Sequence, residues 1–401
     1  MARLMPLVGI LFILGVALLF SKNRQAISLR IVAWGLGLQL AIALFVLRSD
    51  PGVWLVGKLA AAAVWFLGFA TAGAKFVFGP LGDPKGGFGI VFAFQALPLI
   101  IYVACIFSIL YYLKVLPVLV RLAAKVMYKL MGTSGAESLE VAASIVMGQS
   151  EAPLVIRPYL AELTESELMT VMTAGMAHIA GSVFGAYVLF GAEPRFLLTS
   201  VVMTAPGTIL ISKILNPETA KPITAGRVEL EVEKRAINFL DAASQGVTDG
   251  LFLALNVAAM LIAFYALIHL ADGILAAAHT HMDFETLLGY PLAPVAWMLG
   301  VPWSDALQVG SLMATKLVLN EFVAFTMLGP LKGHLAARSF TIATFTLCGF
   351  ANFSSIGIQI GGIGSLAPSR KQDLARLGFR AVFAGTLANY LSAAIAALML
   401  P

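Results

Sequence analysis

Long apolar runs divide this sequence and constrain its fold more than any other feature. A helix needs about 20 mostly apolar residues to cross the roughly 30 Å hydrocarbon layer of a bilayer. Eight runs reach or approach this length: residues 4–20, 31–47, 92–113, 168–190, 194–212, 248–275, 338–361 and 376–400. Only 12% of the 401 residues are charged, about half the share found in soluble domains. The sequence therefore predicts an all-α integral membrane protein with eight transmembrane helices.

Two further apolar segments are less suited to a simple crossing. Residues 53–79 carry Lys58, Lys75 and several glycines, which favours an interfacial helix, with a crossing as the open alternative. Residues 116–131 place basic side chains at helical spacing beside apolar ones, which predicts an amphipathic helix at the membrane surface. The basic residues of this second segment are Arg121, Lys125 and Lys129.

The distribution of basic residues indicates the orientation in the membrane. Cytoplasmic loops carry an excess of Lys and Arg. A cytoplasmic 21–30 loop places 17 of the 26 Lys and Arg residues on that side, among them Arg227, Lys234 and Arg235. We therefore expect an inner-membrane protein with both termini on the outer, periplasmic side. The net charge of +5 follows from this topology and does not indicate nucleic-acid binding.

Two segments are interrupted by polar turns and do not fit as spans. Residues 136–162 (the first hairpin) and 303–332 (the second hairpin) each consist of two helical halves around a turn that contains a glutamate. Each half is too short to cross the bilayer. We expect re-entrant hairpins, because irregular backbone exists at membrane depth only where it is buried in protein or lines a cavity.

The segments that follow the two hairpins are also alike. A polar break at residues 178–182 (the first break) follows the first hairpin, and one at 348–355 (the second break) follows the second. One full span then completes each set, and the predicted topology inverts the two sets relative to each other. Inverted repeats with interrupted helices mark the binding site of a secondary transporter.

The hairpins and breaks supply the candidate site residues. Glu151 and Glu321 lie at the hairpin turns, where intramembrane carboxylates are costly and usually functional. Capping of the following half-helix is the alternative role. Asn352 and Ser355 lie in the second break, where local capping is again the alternative, and Phe350 is either a stacking surface or ordinary packing.

These side chains suit a neutral ligand. Amides, hydroxyls, carboxylates and an aromatic face are present, whereas Lys316 is a single cation and not an anion clamp. A polyhydroxylated solute with a flat ring fits this set, which leaves a sugar and a nucleoside as alternatives. A passive channel would not need paired inverted hairpins. An enzyme would need a nucleophile with a paired base or a metal-ligand cluster, and the sequence shows neither, so we expect no catalytic activity and no cofactor.

Three motifs resemble those of the concentrative nucleoside transporter family. They are Gly148-Gln149-Ser150-Glu151-Ala152-Pro153-Leu154, Asn320-Glu321-Phe322-Val323-Ala324 and Cys348-Gly349-Phe350-Ala351-Asn352-Phe353-Ser354-Ser355. The resemblance implies a homotrimer in the lipid bilayer that moves nucleosides by an elevator motion of a transport domain. It implies that the nucleobase contacts the first motif, that Glu321, Asn352 and Ser355 hold the ribose, and that Phe350 lies near the base. The substrate-binding residues would then be Gln149, Ser150, Glu151, Glu321, Phe350, Asn352 and Ser355.

The resemblance also bears on the coupling ion. Sodium-coupled relatives carry an Asn four residues before the hairpin glycine and a small hydroxyl residue at the next break, where this chain has Ser144 and His178. The loss of two side-chain ligands would weaken a sodium site. We therefore favour a proton as the coupling ion over sodium, with His178 or a glutamate as its carrier. The candidate ion-coupling residues are Ser144, Met147, His178 and Ile179.

The repeats predict four consecutive regions. Residues 1–113 would form scaffold spans with an interfacial helix, and residues 214–302 a further scaffold span with another. Residues 114–213 and 303–401 would form the two repeats of the transport domain, each with a hairpin, a broken helix and a span.

Overall fold

A computed structural model describes residues 4–89, 91–225, 236–277 and 283–400 of the chain. Three of the predicted cytoplasmic charges, Arg227, Lys234 and Arg235, lie outside the described residues. The described residues form α-helices joined by turns and short 3-10 segments. In chain order the helices are α1 (Met5–Leu19), α2 (Leu29–Arg48), α3 (Asp50–Phe78), α4 (Phe92–Tyr112), α5 (Val115–Met131), α6 (Gly135–Ser144), α7 (Glu165–Ala177), α8 (Gly181–Leu189), α9 (Pro194–Leu215), α10 (Phe239–Ala277), α11 (Phe284–Met298), α12 (Trp303–Val318), α13 (Glu321–Leu328), α14 (Ala337–Leu347), α15 (Phe353–Leu366) and α16 (Lys371–Met399).

Within the described residues, seven helical segments are long and apolar enough to cross a membrane. They are Leu29–Arg48, Asp50–Gly82, Phe92–Tyr112, Glu165–Leu189, Pro194–Leu215, Phe239–Ala277 and Pro368–Met399. Six of them match predicted spans, which confirms an all-α membrane fold. Large apolar side chains such as Phe252 and Ile262 on α10 are exposed, as expected for a surface that faces lipid.

Three of the eight predicted spans are not single long helices, and one of them, 168–190, is divided into α7 and α8 at the first break. The run 4–20 forms α1, whose 15 residues extend only about 22 Å. At its C-terminal end, the guanidinium of Arg24 donates hydrogen bonds to the carbonyls of Leu18 and Leu19 (2.9 and 3.0 Å). The run 338–361 is divided into α14 and α15 at the second break.

The less regular predicted segments are helical. Residues 53–79 lie in the single 29-residue helix α3, which begins where the Ser49 hydroxyl accepts a hydrogen bond from the Gly52 amide (3.1 Å). This helix is long enough to cross, and its interfacial position stays a prediction. Residues 116–131 form α5, whose face with Leu116, Val120 and the other inward residues is buried while its basic side chains are exposed.

Both hairpins have the predicted helix–turn–helix order. In the second hairpin, α12 ends at Val318 and α13 begins at Glu321. In the first, α6 leads into a turn and then into a 3-10 segment, Ala152–Glu162, that is kinked at Ile156. Pro153 and Pro158 account for this irregular second half, because proline lacks the amide hydrogen that a regular α-helix needs. The membrane depth of both hairpins stays a prediction.

The two breaks occur where the sequence predicts them. The first separates α7 from α8 at residues 178–180, and the second separates α14 from α15 at residues 348–352. Helices α9 and α16 pack against α7 and form the centre of the buried core. Helices α1 and α2 pack on α9 and α16, whereas α4 packs along α10. The division into scaffold and transport regions stays a prediction.

Candidate functional site

A cavity of about 180 Å³ lies where the two hairpin turns and the two breaks meet. One wall comes from these four interruptions, and the opposite wall is a stretch of α10 from Leu253 to Leu261. Backbone that leaves a helix exposes polar groups and positions short side chains. All seven predicted substrate-binding residues line this one cavity: Gln149, Ser150, Glu151, Glu321, Phe350, Asn352 and Ser355.

Glu321 is the first residue of α13, and its side chain is buried. The hydroxyl of Tyr187 donates to one carboxylate oxygen (3.0 Å), and the side-chain amide of Asn352 donates to the other (3.2 Å). The neighbouring Asn320 caps α13, accepting a hydrogen bond from the Val323 amide (3.0 Å). Because Asn320 performs the capping, the carboxylate of Glu321 is held by side chains of two other helices and faces the cavity.

Asn352 has two roles at the start of α15. Its side-chain oxygen accepts hydrogen bonds from the Ser355 amide (2.9 Å) and the Ser354 hydroxyl (2.7 Å), which caps the helix. Its side-chain nitrogen donates to Glu321. The capping role is therefore present together with a direct contact to the hairpin carboxylate.

Gln149 joins the first hairpin turn to α15. Its side-chain nitrogen donates to the Ser355 hydroxyl (3.1 Å), and its oxygen accepts from Gln359 (3.4 Å). Gln359 also donates to the carbonyl of Met172 (3.0 Å), which fixes the amide in place. Gln149 is buried, whereas the next residue, Ser150, is exposed towards the cavity.

Glu151 lies at the end of the first hairpin turn and is exposed. Its carboxylate accepts a hydrogen bond from the backbone amide of Gly148 (3.3 Å), which folds the turn back on itself. A Cβ at position 148 would lie 3.1 Å from the Cβ of Ala180. The turn therefore packs tightly against the first break, and glycine suits this close approach.

The candidate ion-coupling residues lie behind the cavity wall. His178 is buried, and its Nδ1 lies 2.9 Å from the carbonyl of Ala174, so this nitrogen is engaged by the backbone of α7. Its Nε2 has no hydrogen-bond partner among the described residues. Ser144 is buried and donates to Glu140 (3.1 Å), while Met147 and Ile179 pack into the core and do not line the cavity.

A buried lysine and asparagine connect the two breaks. The ammonium of Lys316 donates to the carbonyl of Thr346 and to the side-chain oxygen of Asn389, both at 2.7 Å. The Asn389 nitrogen donates in turn to the carbonyls of Ala177 (2.7 Å) and Cys348 (3.0 Å), at the ends of α7 and α14. A positive charge is favourable there because the C-termini of helices carry partial negative charge.

Several of these residues were not predicted as part of the site. Three of them contact residues more than 100 positions away in the chain: Tyr187, Gln359 and Asn389. Helix α10, which is also distant in the chain, contributes Asn256 to the cavity. A polar side chain inside an apolar span is the one signal that could have identified them. Among the described residues, there is no group of three His, Cys, Asp or Glu side chains that could hold a metal ion.

Three family models cover almost the whole chain. They describe the "Na+ dependent nucleoside transporter N-terminus" over residues 8–81, "Nucleoside recognition" over 93–194 and the "Na+ dependent nucleoside transporter C-terminus" over 196–397. The uncharacterized transporter YutK of Bacillus subtilis is 44% identical over 98% of both chains. The chain belongs to the concentrative nucleoside transporter family.

Relatives in this family differ in length. Sodium/nucleoside cotransporter 2 of Rattus norvegicus is 38% identical over 99% of this chain and 63% of its own length. Among solved structures, CNTnw in an inward-facing substrate-bound state superposes with a TM-score of 0.95 at 38% identity, over 100% of this chain and 98% of that one. A variant of CNTnw in an outward-facing state gives a TM-score of 0.94. Membership of a transporter family agrees with the prediction that the chain is not an enzyme.

Proposed function

We propose that this chain imports nucleosides across the cytoplasmic membrane by symport with a cation, and that the cation is a proton. The observation that supports this function most directly is the cavity in which Glu321, Asn352 and the first hairpin turn meet. A carboxylate held in place by two donors is ready to accept hydrogen bonds from sugar hydroxyls. No Lys or Arg lines the cavity among the described residues, which favours a neutral solute over a phosphorylated one.

The two sides of the cavity suit the two parts of a nucleoside. Glu321, Asn352 and Ser355 lie together and would hold the ribose hydroxyls. Gln149, Ser150 and Glu151 of the first hairpin turn line the same cavity and would pair with the edge of the base. Phe350 is half-buried and also lines the cavity, where its ring would pack against the base.

The walls of the cavity also suit alternating access. The polar wall belongs to the hairpins and breaks, whereas the α10 wall is mostly apolar, with Asn256 as its amide. We propose that the polar wall moves past α10 as part of an elevator motion in a homotrimer in the inner membrane, with both termini on the periplasmic side. The family descriptions and the alternating states of CNTnw support this transport cycle.

The preference for a proton rests on Ser144 and His178. The matching family models describe sodium-dependent transporters, but this chain lacks the Asn and the small hydroxyl residue that sodium-coupled relatives carry at these two positions. The two side chains contribute one hydroxyl and one imidazole, and the hydroxyl is already engaged by Glu140. This set is poorer in oxygen ligands than a sodium ion requires.

The test is uptake of radiolabelled uridine into proteoliposomes that contain the purified protein. An inward proton gradient and an inward sodium gradient are imposed separately. Accumulation of uridine under the proton gradient alone supports both the substrate and the ion. Accumulation under sodium alone supports the substrate and contradicts the ion. If folded protein accumulates no uridine under either gradient, another neutral polyhydroxylated solute, such as a sugar, becomes the better candidate.

A further inference from the structure

The first hairpin contains a buried carboxylate that the substrate site does not use. Glu140 lies in the middle of α6 and is 0% exposed. Its Oε1 accepts a hydrogen bond from the Ser144 hydroxyl (3.1 Å), and its Oε2 has no hydrogen-bond partner among the described residues. One of its two oxygens is therefore buried without a donor.

A comparison with the preceding turn of α6 shows why this is unusual. Glu137 is also buried, but its carboxylate lies 2.8 Å from the ammonium of Lys213. Glu140 has no such counter-ion within ion-pair distance in the part of the chain that the structure describes. A buried charge without a partner is strongly unfavourable, and such a group takes up a proton instead. Glu140 is thus neutral when it is enclosed in this way.

The charged groups on the elements packed around α6 are engaged elsewhere or exposed. Lys213 of α9 pairs with Glu137 and Glu218. On α7, Glu167 accepts from Ser134, and Glu165 pairs with Lys22 and Arg376. His178 is bound to the carbonyl of Ala174. The remaining charged side chains of α5, α9 and the 3-10 segment are exposed: Arg121, Lys125, Lys129, Arg157, Glu162 and Arg195.

Glu140 and Ser144 lie close along the chain to the hairpin turn that lines the cavity. Ser144 follows Glu140 by four residues and contacts it, and Gly148 follows Ser144 by four more. The Gly148 amide donates to Glu151, whose carboxylate is exposed at the cavity. Ser144 is the last residue of α6, and Gly148 lies beyond the helix in the turn. Glu140 and Ser144 therefore lie directly before the segment that lines the substrate cavity, and a proton passing between them and the cavity would cross this short turn.

We propose that Glu140 binds the coupling proton, with Ser144 as the hydroxyl that relays it between Glu140 and the cavity. The inference rests on the proposed proton–nucleoside symport and names its carrier. On the outer side, the carboxylate of Glu140 takes one proton from water in the cavity and becomes a neutral acid. Neutralisation lowers the cost of moving the hairpin through the apolar layer. On the cytoplasmic side the acid releases the same proton, which balances one proton imported per cycle.

The proposal is tested by separating proton coupling from nucleoside exchange. Purified wild type and Glu140→Gln are reconstituted in proteoliposomes, and two assays are run with radiolabelled uridine. The first is accumulation driven by an inward proton gradient, and the second is exchange against unlabelled internal uridine with no ion gradient. The glutamine keeps an oxygen for Ser144 and cannot ionise. Glu162→Gln, which removes an exposed carboxylate from the same hairpin, is the matched control.

We expect Glu140→Gln to lose at least about tenfold in gradient-driven accumulation and to keep exchange within about twofold of wild type. Its exchange rate should no longer change between pH 5.5 and 8, whereas that of wild type and Glu162→Gln should. Normal accumulation by Glu140→Gln would overturn the proposal. Loss of exchange in a folded variant would do so too, because that result indicates a structural or substrate-binding role.

A second variant covers the case in which Glu140→Gln does not fold. Ser144→Ala removes only the relay hydroxyl, and we expect its proton-driven uptake to fall at least fivefold while exchange stays near wild type. Unchanged proton-driven uptake in Ser144→Ala would contradict the relay. If wild type accumulates uridine with sodium alone, Glu140 is not a proton carrier, although nucleoside transport stands. If wild type transports no uridine at all, the proposed function itself is wrong.

Discussion

The charge of Glu321 can be removed while the shape of the site is kept. In Glu321→Gln, the amide nitrogen replaces one carboxylate oxygen. The Tyr187 hydroxyl can accept as well as donate, whereas the Asn352 nitrogen only donates. The glutamine should therefore turn its nitrogen towards Tyr187 and keep its oxygen towards Asn352. Both contacts to the protein are preserved, and the change isolates the carboxylate's contribution to ligand binding.

The expected loss follows from the strength of a charged hydrogen bond. Hydrogen bonds to charged groups contribute about 1.5–3 kcal/mol, and each 1.4 kcal/mol corresponds to about tenfold in affinity. The apparent affinity for uridine should therefore fall roughly ten- to hundred-fold. Tyr187→Phe is the matched comparison, because it removes one donor and leaves the carboxylate. We expect it to cost less than about tenfold.

The affinity should be measured in two ways. Isothermal titration of purified protein gives the dissociation constant, and initial rates of uptake give KM and the maximal rate. A thermal unfolding curve for each variant shows whether the fold is intact. An unchanged dissociation constant in Glu321→Gln would refute the placement of the ribose at this carboxylate. A larger loss in Tyr187→Phe than in Glu321→Gln would refute the role of the charge.

Three further changes test other parts of the structure. In Gly175→Ala, the new Cβ would lie 2.5 Å from the Gln359 nitrogen and 3.0 Å from the Gln149 Cβ, so the KM for uridine should rise several-fold. The control is Gly361→Ala, whose new Cβ has nothing within 4 Å and should leave the KM unchanged. Lys316→Met leaves the carbonyl of Thr346 and the oxygen of Asn389 without their donor, and thermal unfolding should show a loss of about 2 kcal/mol; an unchanged melting temperature would contradict the structural role of this lysine. The double change Ser144→Asn with His178→Ser should make uridine uptake respond to a sodium gradient, and no response would leave the ion assignment without support.

Local sequence signals predicted the interrupted elements of this fold well. A glutamate beside an amide in an apolar segment correctly indicated each hairpin turn, and polar residues that interrupt an apolar run correctly indicated both breaks. The ends of α1 agree with the predicted run 4–20 to within one residue. The irregular second half of the first hairpin has a visible cause in Pro153 and Pro158, which the sequence interpretation did not use.

The sequence patterns could not predict contacts between segments that are distant in the chain. Tyr187 reaches Glu321, and Gln359 reaches Gln149, across separations of 134 and 210 residues. No periodicity or motif relates such positions. The same holds for α10, whose apolar pattern indicates a span but not which of its faces closes the cavity. The seven residues predicted from motifs therefore line the cavity on the side of the hairpins and breaks. The residues that hold them in place could be identified only from the structure.

Backbone hydrogen bonds connect the proposed coupling residues to the segments that line the cavity. The amide of Gly181 at the first break donates to the carbonyl of Val146 in the hairpin turn (2.9 Å). The amide of Phe350 at the second break donates to the carbonyl of His178 (3.3 Å). The hairpin turn, the first break and the second break are thus joined in series through their backbones. Because Ser144 lies at the end of α6, directly before this turn, a change in the hydrogen bonding of Ser144 would act on the same short segment that positions Gln149. Under the proposed ion assignment, ion binding and substrate binding would share one structural element, and their coupling would need only this short route.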